Sequence, residues 1–217
     1  MKKTAIIIGA TGLTGGHLLD LLLEDDSYGK IIVPTRRSTG KTHPKLEEHI
    51  IDLMELENHA DLLKGDVVFC CVGTTNAKTP DKKEYHRIDF GIPVNVAKLA
   101  IQNKVKQLQI ISAPGANSKS RMFYTRTKGE MQDEVIRIAK DQLDLHFLQP
   151  SLIVGVREDK RGKEGFANAF MSVFNFMIPL NYKKIRGLTV AKAMQKIAED
   201  GFSSIIISSA EIQKLGR

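Results

Sequence analysis

Thr4-Ala5-Ile6-Ile7-Ile8 runs directly into Gly9-Ala10-Thr11-Gly12-Leu13-Thr14-Gly15. The apolar run has the continuous character of a strand buried on both faces. The next seven residues place three glycines at three-residue spacing, where that strand must turn into a helix. A turn that tight leaves no room for side chains and aims backbone N–H groups at the helix N-terminus. Unpaired amides and the helix dipole both favour negative charge there. The segment therefore predicts a pyrophosphate cradle built from Gly9, Thr11, Gly12, Leu13 and Gly15. Its first spacing differs by one residue from the usual G-x-G-x-x-G, so the position between strand and helix carries the reading.

Working outward, the helix that begins at Leu13 carries Leu18, Leu19, Leu22 and Leu23 as a broad apolar stripe, which assigns them to the core. Further apolar runs at 30–35, 48–51, 66–72, 107–112 and 143–148 read as strands, and amphipathic stretches at 82–103 and 124–141 read as helices. This alternation predicts an α/β fold, a Rossmann-type doubly wound parallel sheet flanked by helices. The length favours one domain over 1–217, with 150–217 supplying a small C-terminal substrate cap and the last strand. Within that part, 156–165 reads as a charged loop, 188–200 as a helix and 204–208 as a strand. The Phe- and Met-rich stretch 166–178 reads as a buried helix or, alternatively, as the apolar wall of a substrate pocket.

Composition narrows the function classes. Of 217 residues, 42% are apolar and 26% charged, ordinary values for a globular protein. No apolar stretch approaches the roughly 20 residues that span a bilayer. Met1-Lys2-Lys3 leads through a short apolar run into the glycine turn rather than to a cleavage site, so the expected compartment is the cytoplasm. The adjacent Cys70 and Cys71 would point to opposite faces of a strand, which argues against a mutual disulfide. They and the six scattered histidines show no metal-ligand spacing, and no metal is expected. The net charge of +7 suits a solvated face plus an anionic small-molecule site. No aromatic residues interleave with the basic ones as a nucleic-acid surface would need. Neither nucleic acid nor membrane is expected as a partner, and a homodimer stays open.

The second strand ends in Thr35-Arg36-Arg37-Ser38. In a doubly wound sheet this end lies beside the adenosine ribose. An acidic residue there would accept from a free 2′-hydroxyl, whereas two guanidiniums suit a 2′-phosphate. Arg36 and Arg37 thus favour NADP(H) over NAD(H), the alternative being two solvated arginines. Asp52, beyond the third strand, is a candidate acceptor for the adenine amino group or an ordinary loop carboxylate. Gly73 and Thr74, after the fourth strand, would lie near the middle of the cofactor, Gly73 allowing close backbone approach and Thr74 donating a hydrogen bond.

Tyr124-Thr125-Arg126-Thr127-Lys128 puts a phenol and an ammonium on one helix face, with Ser112 at the end of the fifth strand. A phenol with a pKa near 10 is a poor acid–base group at neutral pH unless a cation favours its phenolate. Lys128 could supply that charge and bind the nicotinamide ribose, while Ser112 could hold a reacting carbonyl.

These residues together resemble the short-chain dehydrogenase/reductase superfamily, and in particular its atypical members of the Tat-interacting-protein type with their small bacterial relatives. The segments are Gly9 to Gly15 with Thr35-Arg36-Arg37, Phe69-Cys70-Cys71-Val72-Gly73-Thr74-Thr75, Ser112-Ala113-Pro114-Gly115-Ala116, Tyr124 to Glu130 and Leu148-Gln149-Pro150. The resemblance spans most of the chain. It implies NADPH binding, with Pro150 on the cofactor side, and a reductase site at Ser112, Tyr124 and Lys128. Three departures accompany it. Gln149 stands where many relatives have Arg, and Asp89 stands where extended members often place an Asn that holds a catalytic water. The chain is also shorter than sugar-nucleotide epimerases, which favours a compact carbonyl compound as substrate.

The leading expectation is an NADPH-dependent carbonyl oxidoreductase with Tyr124 as acid/base. A weakly catalytic NADP(H)-binding sensor or scaffold that regulates a protein partner is the alternative. A flavin or quinone reductase, which needs no Tyr/Lys pair, ranks third.

Overall fold

Alternation with a period of two residues divides the central strands between two apolar layers. In β1 (Lys3–Ile8), Ile6 and Ile8 enter one core cluster while Ala5 and Ile7 enter the other. β4 (Val67–Cys70) divides in the same way, with Val68 and Cys70 against Val67 and Phe69. Such strands must be covered on both faces, which is why they read as unbroken apolar runs. The structure, a computed structural model, describes residues 2–154 and 184–217. The expected loop at 156–165 and the Phe- and Met-rich stretch at 166–178 lie outside the described residues.

The remaining strands of the main sheet are β2 (Tyr28–Thr35), β3 (Leu46–Ile50), β5 (Gln107–Ile111), β6 (Asp144–Gln149) and β9 (Ile206–Ser208). All seven are parallel, in the order β3-β2-β1-β4-β5-β6-β9. This is the doubly wound Rossmann-type arrangement. A separate two-stranded parallel pair joins β7 (Ile153–Val154) to β8 (Ile185–Arg186).

One face is covered by a kinked 3-10 segment (Leu53–Leu63), α3 (Ile92–Gln102) and α4 (Phe123–Ala139). The other is covered by α1 (Leu13–Glu24), α5 (Gly187–Asp200) and α6 (Ser209–Leu215). The α1 stripe of Leu18, Leu19, Leu22 and Leu23 is buried, as its spacing predicts. Each fully buried leucine contributes about 1.5–3 kcal/mol relative to exposure. The stretch 82–103 is continuous but not uniform: α2 (Lys82–His86) passes through one π turn (Arg87–Gly91) into α3. Pro93 has no N–H for the carbonyl four residues earlier, at Asp89. In the adjoining turn the bond is wider, from the Ile92 N–H to the Arg87 carbonyl.

The strand order reverses between β1 and β4, and ligands of such sheets bind outside the strand ends at that point. The loops after β1 and β4 touch there. A Cβ on Gly9 would lie 2.9 Å from the Cys71 carbonyl carbon and oxygen. The 3-10 segment and the C-terminal α6 lack the long periodic pattern that marks a helix in sequence. α6 is instead fixed by a reciprocal cap between Ser208 and Glu211.

Candidate functional site

Gly9 turns the chain with φ of +91°, a conformation closed to most side chains. Its carbonyl accepts from the Gly12 N–H at 2.9 Å, and the Gly12 carbonyl accepts from the Gly16 N–H at 2.9 Å. A Cβ on Gly15 would overlap the Gly9 carbonyl, and one on Gly12 would stand 3.1 Å from the same oxygen. Thr11 and Leu13, both half-buried, complete the turn. No side chain caps α1, and its first turn carries no acidic residue. The cradle therefore has the features an anionic dinucleotide needs: close backbone approach and amides with no side-chain partner.

At the end of β2, Arg36 and Arg37 are exposed, and the turn is closed by Thr35, whose hydroxyl donates to the Arg37 carbonyl at 2.8 Å. Asp52 is exposed, and its Oδ1 accepts from the Met54 N–H at 2.9 Å. One oxygen of that carboxylate thus caps the 3-10 segment, which is the ordinary loop role. Gly73 is exposed at the switch point. A Cβ there would reach 3.6 Å from Asp89 Oδ1 and 3.8 Å from Lys128 Nζ, so cofactor-side loop and lysine are neighbours. Thr74 is held on three sides. Its N–H donates to Asp89 Oδ2 at 2.7 Å, its hydroxyl pairs with that of Thr79 at 2.8 Å, and its carbonyl accepts from Tyr85 at 3.2 Å. Either hydroxyl can be the donor of the Thr74–Thr79 pair, so a Thr74 hydroxyl that accepts from Thr79 keeps its proton for another acceptor.

Lys128 is buried, and its ammonium lies 2.8 Å from Asp89 Oδ1 and 3.5 Å from the Ile111 carbonyl at the end of β5. The next residue, Ser112, is buried, and its hydroxyl is among the buried polar atoms that lack a hydrogen-bond partner. Pro150 is buried at the end of β6. Beside it, Gln149 reaches α4, its amide nitrogen 3.4 Å from the Gln132 side-chain oxygen. The strand ends, the π turn and one face of α4 thus converge on a polar centre.

Its electrostatics depart from the expectation in one respect. Burial pushes the Tyr124 phenol up, Lys128 pulls it down, and Asp89 pushes it up again, for a net rise above the ordinary tyrosine value. Lys128 exerts the expected downward pull, but burial and the neighbouring carboxylate outweigh it. For Lys128 itself burial works against the charge. Asp89 and Tyr124 reverse this, so the ammonium is held above the ordinary lysine range. Cys70 nearby is pushed up to about 11 by burial, which leaves it an unreactive thiol. Asp89 is the residue of this centre that the sequence pattern did not select as a site residue. Its only signal was its departure from Asn in the resemblance.

A profile of the NAD dependent epimerase/dehydratase family matches residues 5–174. The chain belongs to this family. Membership makes it an NAD(P)-binding Rossmann chain of the short-chain dehydrogenase/reductase type and does not decide between NAD and NADP. The mitochondrial protein FMP52 of Candida glabrata is 30% identical to this epimerase/dehydratase-family chain over 193 residues, covering 87% of this chain and 80% of that one. Protein HTATIP2 of Rattus norvegicus is 28% identical over 173 residues, covering 78% and 70%. The fold matches a UDP-N-acetylglucosamine 4-epimerase from Methanobrevibacter ruminantium M1 with a TM-score of 0.73 at 21% identity, over 96% of this chain and 76% of that one.

The cytoplasmic compartment expected from the sequence is overturned by these relatives. The FMP52 proteins of Candida albicans, Meyerozyma guilliermondii and Candida glabrata are all named as mitochondrial. An apolar run that serves as the first strand of a fold carries no information about compartment. Among the described residues, no helix is long and apolar enough to cross a membrane. No group of three or more potential metal ligands occurs among them either.

Proposed function

We propose that this chain is an NADPH-dependent reductase of a compact carbonyl compound. The observation that supports the reading most is the buried Lys128 ammonium, which lies 3.5 Å from the Ile111 carbonyl, one residue before the unpartnered Ser112 hydroxyl, and acts electrostatically on the Tyr124 phenol. The glycine cradle would hold the pyrophosphate on backbone amides, and Arg36 and Arg37 would meet a 2′-phosphate with planar donor forks. When bound, the nicotinamide supplies a hydride to the carbonyl carbon.

The chain's own residues would do the rest. Ser112 Oγ donates to the carbonyl oxygen and fixes its orientation. The Tyr124 hydroxyl gives that oxygen its proton as negative charge develops on it. Lys128, charged throughout the neutral range, stabilises the phenolate that remains until a solvent proton restores it. A neutral phenol suits the reductive direction, because reduction begins from the protonated acid.

The test is oxidation of NADPH and NADH across a panel of aldehydes and ketones. The proposal expects turnover with NADPH preferred, and a loss of about 10²–10⁴-fold in Tyr124→Phe. Tight NADPH binding with no carbonyl turned over, together with cofactor-dependent capture of a protein partner, would favour a regulatory binding protein instead.

A further inference from the structure

The π turn (Arg87–Gly91) lies immediately before the first turn of α3, which contains Pro93, and the carboxylate of Asp89 within it is wholly buried. A fully buried carboxylate in a helix needs a reason, since an uncompensated charge there costs several kcal/mol. Its two oxygens are directed at different parts of the site. Oδ1 lies 2.8 Å from Lys128 Nζ on α4, and Oδ2 accepts from the Thr74 N–H, in the loop after β4, at 2.7 Å. That loop also carries Gly73, next to both charges.

We propose that Asp89 is the positioning residue of this site: its carboxylate clamps the Lys128 ammonium with one oxygen and the cofactor-side loop with the other, and supplies the countercharge that keeps the buried lysine ionised. The catalytic consequence of this clamp rests on the reductase reading above, whereas the clamp itself does not. Among the described residues, the charged and titratable groups facing the pair are few. Lys128 is met by Asp89 from the π turn, Tyr124 from its own helix and Cys70 from β4. Asp89 is met by Lys128, by Tyr85 from α2 and by Tyr124 and Cys70. Among the described residues facing the ammonium, Asp89 is the carboxylate, and the others are a phenol and a thiol.

The decisive substitution is Asp89→Asn, which keeps the size and an acceptor for the Thr74 amide and removes the charge. The ionisation of Lys128 is then followed by NMR of lysine side chains labelled at Cε, with the Lys128 signal assigned by its loss in Lys128→Met. In the wild type the signal is expected to stay that of an ammonium beyond pH 10. In Asp89→Asn burial loses its largest opponent, and the signal is expected to titrate at least about one pH unit lower. An unchanged titration overturns the proposal.

Should Asp89→Asn fail to fold, thermal melts of Lys128→Met and of the double variant Asp89→Asn with Lys128→Met decide the matter. The double variant is expected to melt above Lys128→Met, because it removes the carboxylate that the single change strands. Melting at or below Lys128→Met contradicts the clamp. If the wild type turns over carbonyls, Asp89→Asn is also expected to lose kcat more than tenfold above the new lysine titration while the KM for NADPH changes little. If the wild type turns over nothing but the lysine titration moves, the reductase reading fails and the clamp stands.

Discussion

Around Gly9 and Gly15 the chain makes its site by leaving side chains out, whereas around Lys128 it brings charged and polar side chains into the interior and balances them. The first region is fixed by local sterics: a turn with positive φ and two places where one added carbon collides with backbone. The second is fixed by contacts between distant parts of the chain, from the π turn to α4 and from the π turn to the loop after β4. A cradle built from backbone tolerates change in the surrounding side chains but not in its glycines. A buried ion pair tolerates the paired loss of both charges better than the loss of one.

Lys128→Met should produce the largest effect on stability. It leaves Asp89 buried without its partner, and urea unfolding is expected to show a loss of about 3–5 kcal/mol. A loss below about 1 kcal/mol would mean that the two regions do not differ in the way described. Gly9→Ala comes next. The strained backbone should cost about 1–3 kcal/mol, and displacement of the turn against Cys71 should weaken cofactor binding about 100-fold, measured by fluorescence titration with NADPH. Binding that survives unchanged would separate the glycine turn from the cofactor.

Replacing Arg36 and Arg37 together by Ala probes the edge of the backbone-built region, where side chains do contribute. NADPH affinity is expected to fall about tenfold, from the loss of charge-assisted hydrogen bonds, with NADH affinity nearly unchanged. An equal loss for both cofactors would remove the 2′-phosphate from the account. The smallest effect is that of pH. The Tyr124 phenol is held above its ordinary value, so the acid form needed for reduction is present at all lower pH and is lost only as pH rises through that raised value. Reductive kcat is therefore expected to stay level from neutrality to about pH 10 and to decline beyond it. A decline that begins near pH 8 would show a phenol that Lys128 has drawn down instead.

The same contrast governs what could be read from the sequence. The glycine turn, the leucine stripe of α1 and the apolar strands are each specified by neighbours within one or two turns of chain, and their positions follow from spacing alone. Tyr124 and Lys128 were legible as a pair because four residues on a helix bring them to one face. Asp89 was not legible as a site residue. Its burial and its two partners, Lys128 and Thr74, depend on the π turn before α3 and on the packing of three separate elements. Thr74 shows the converse case. Its place after β4 follows from the sequence, but its amide bond to Asp89 and its hydroxyl contact with Thr79 are contacts that its local sequence does not specify.

Steady-state oxidation of NADPH by the wild type and by Tyr124→Phe, with the NADPH affinity of both measured in parallel, tests the central claim most directly. The account predicts that carbonyl turnover falls by about 10²–10⁴-fold while cofactor affinity is unchanged, because the phenol acts on the substrate oxygen and the glycine turn holds the cofactor. Turnover that survives the loss of the hydroxyl would contradict it.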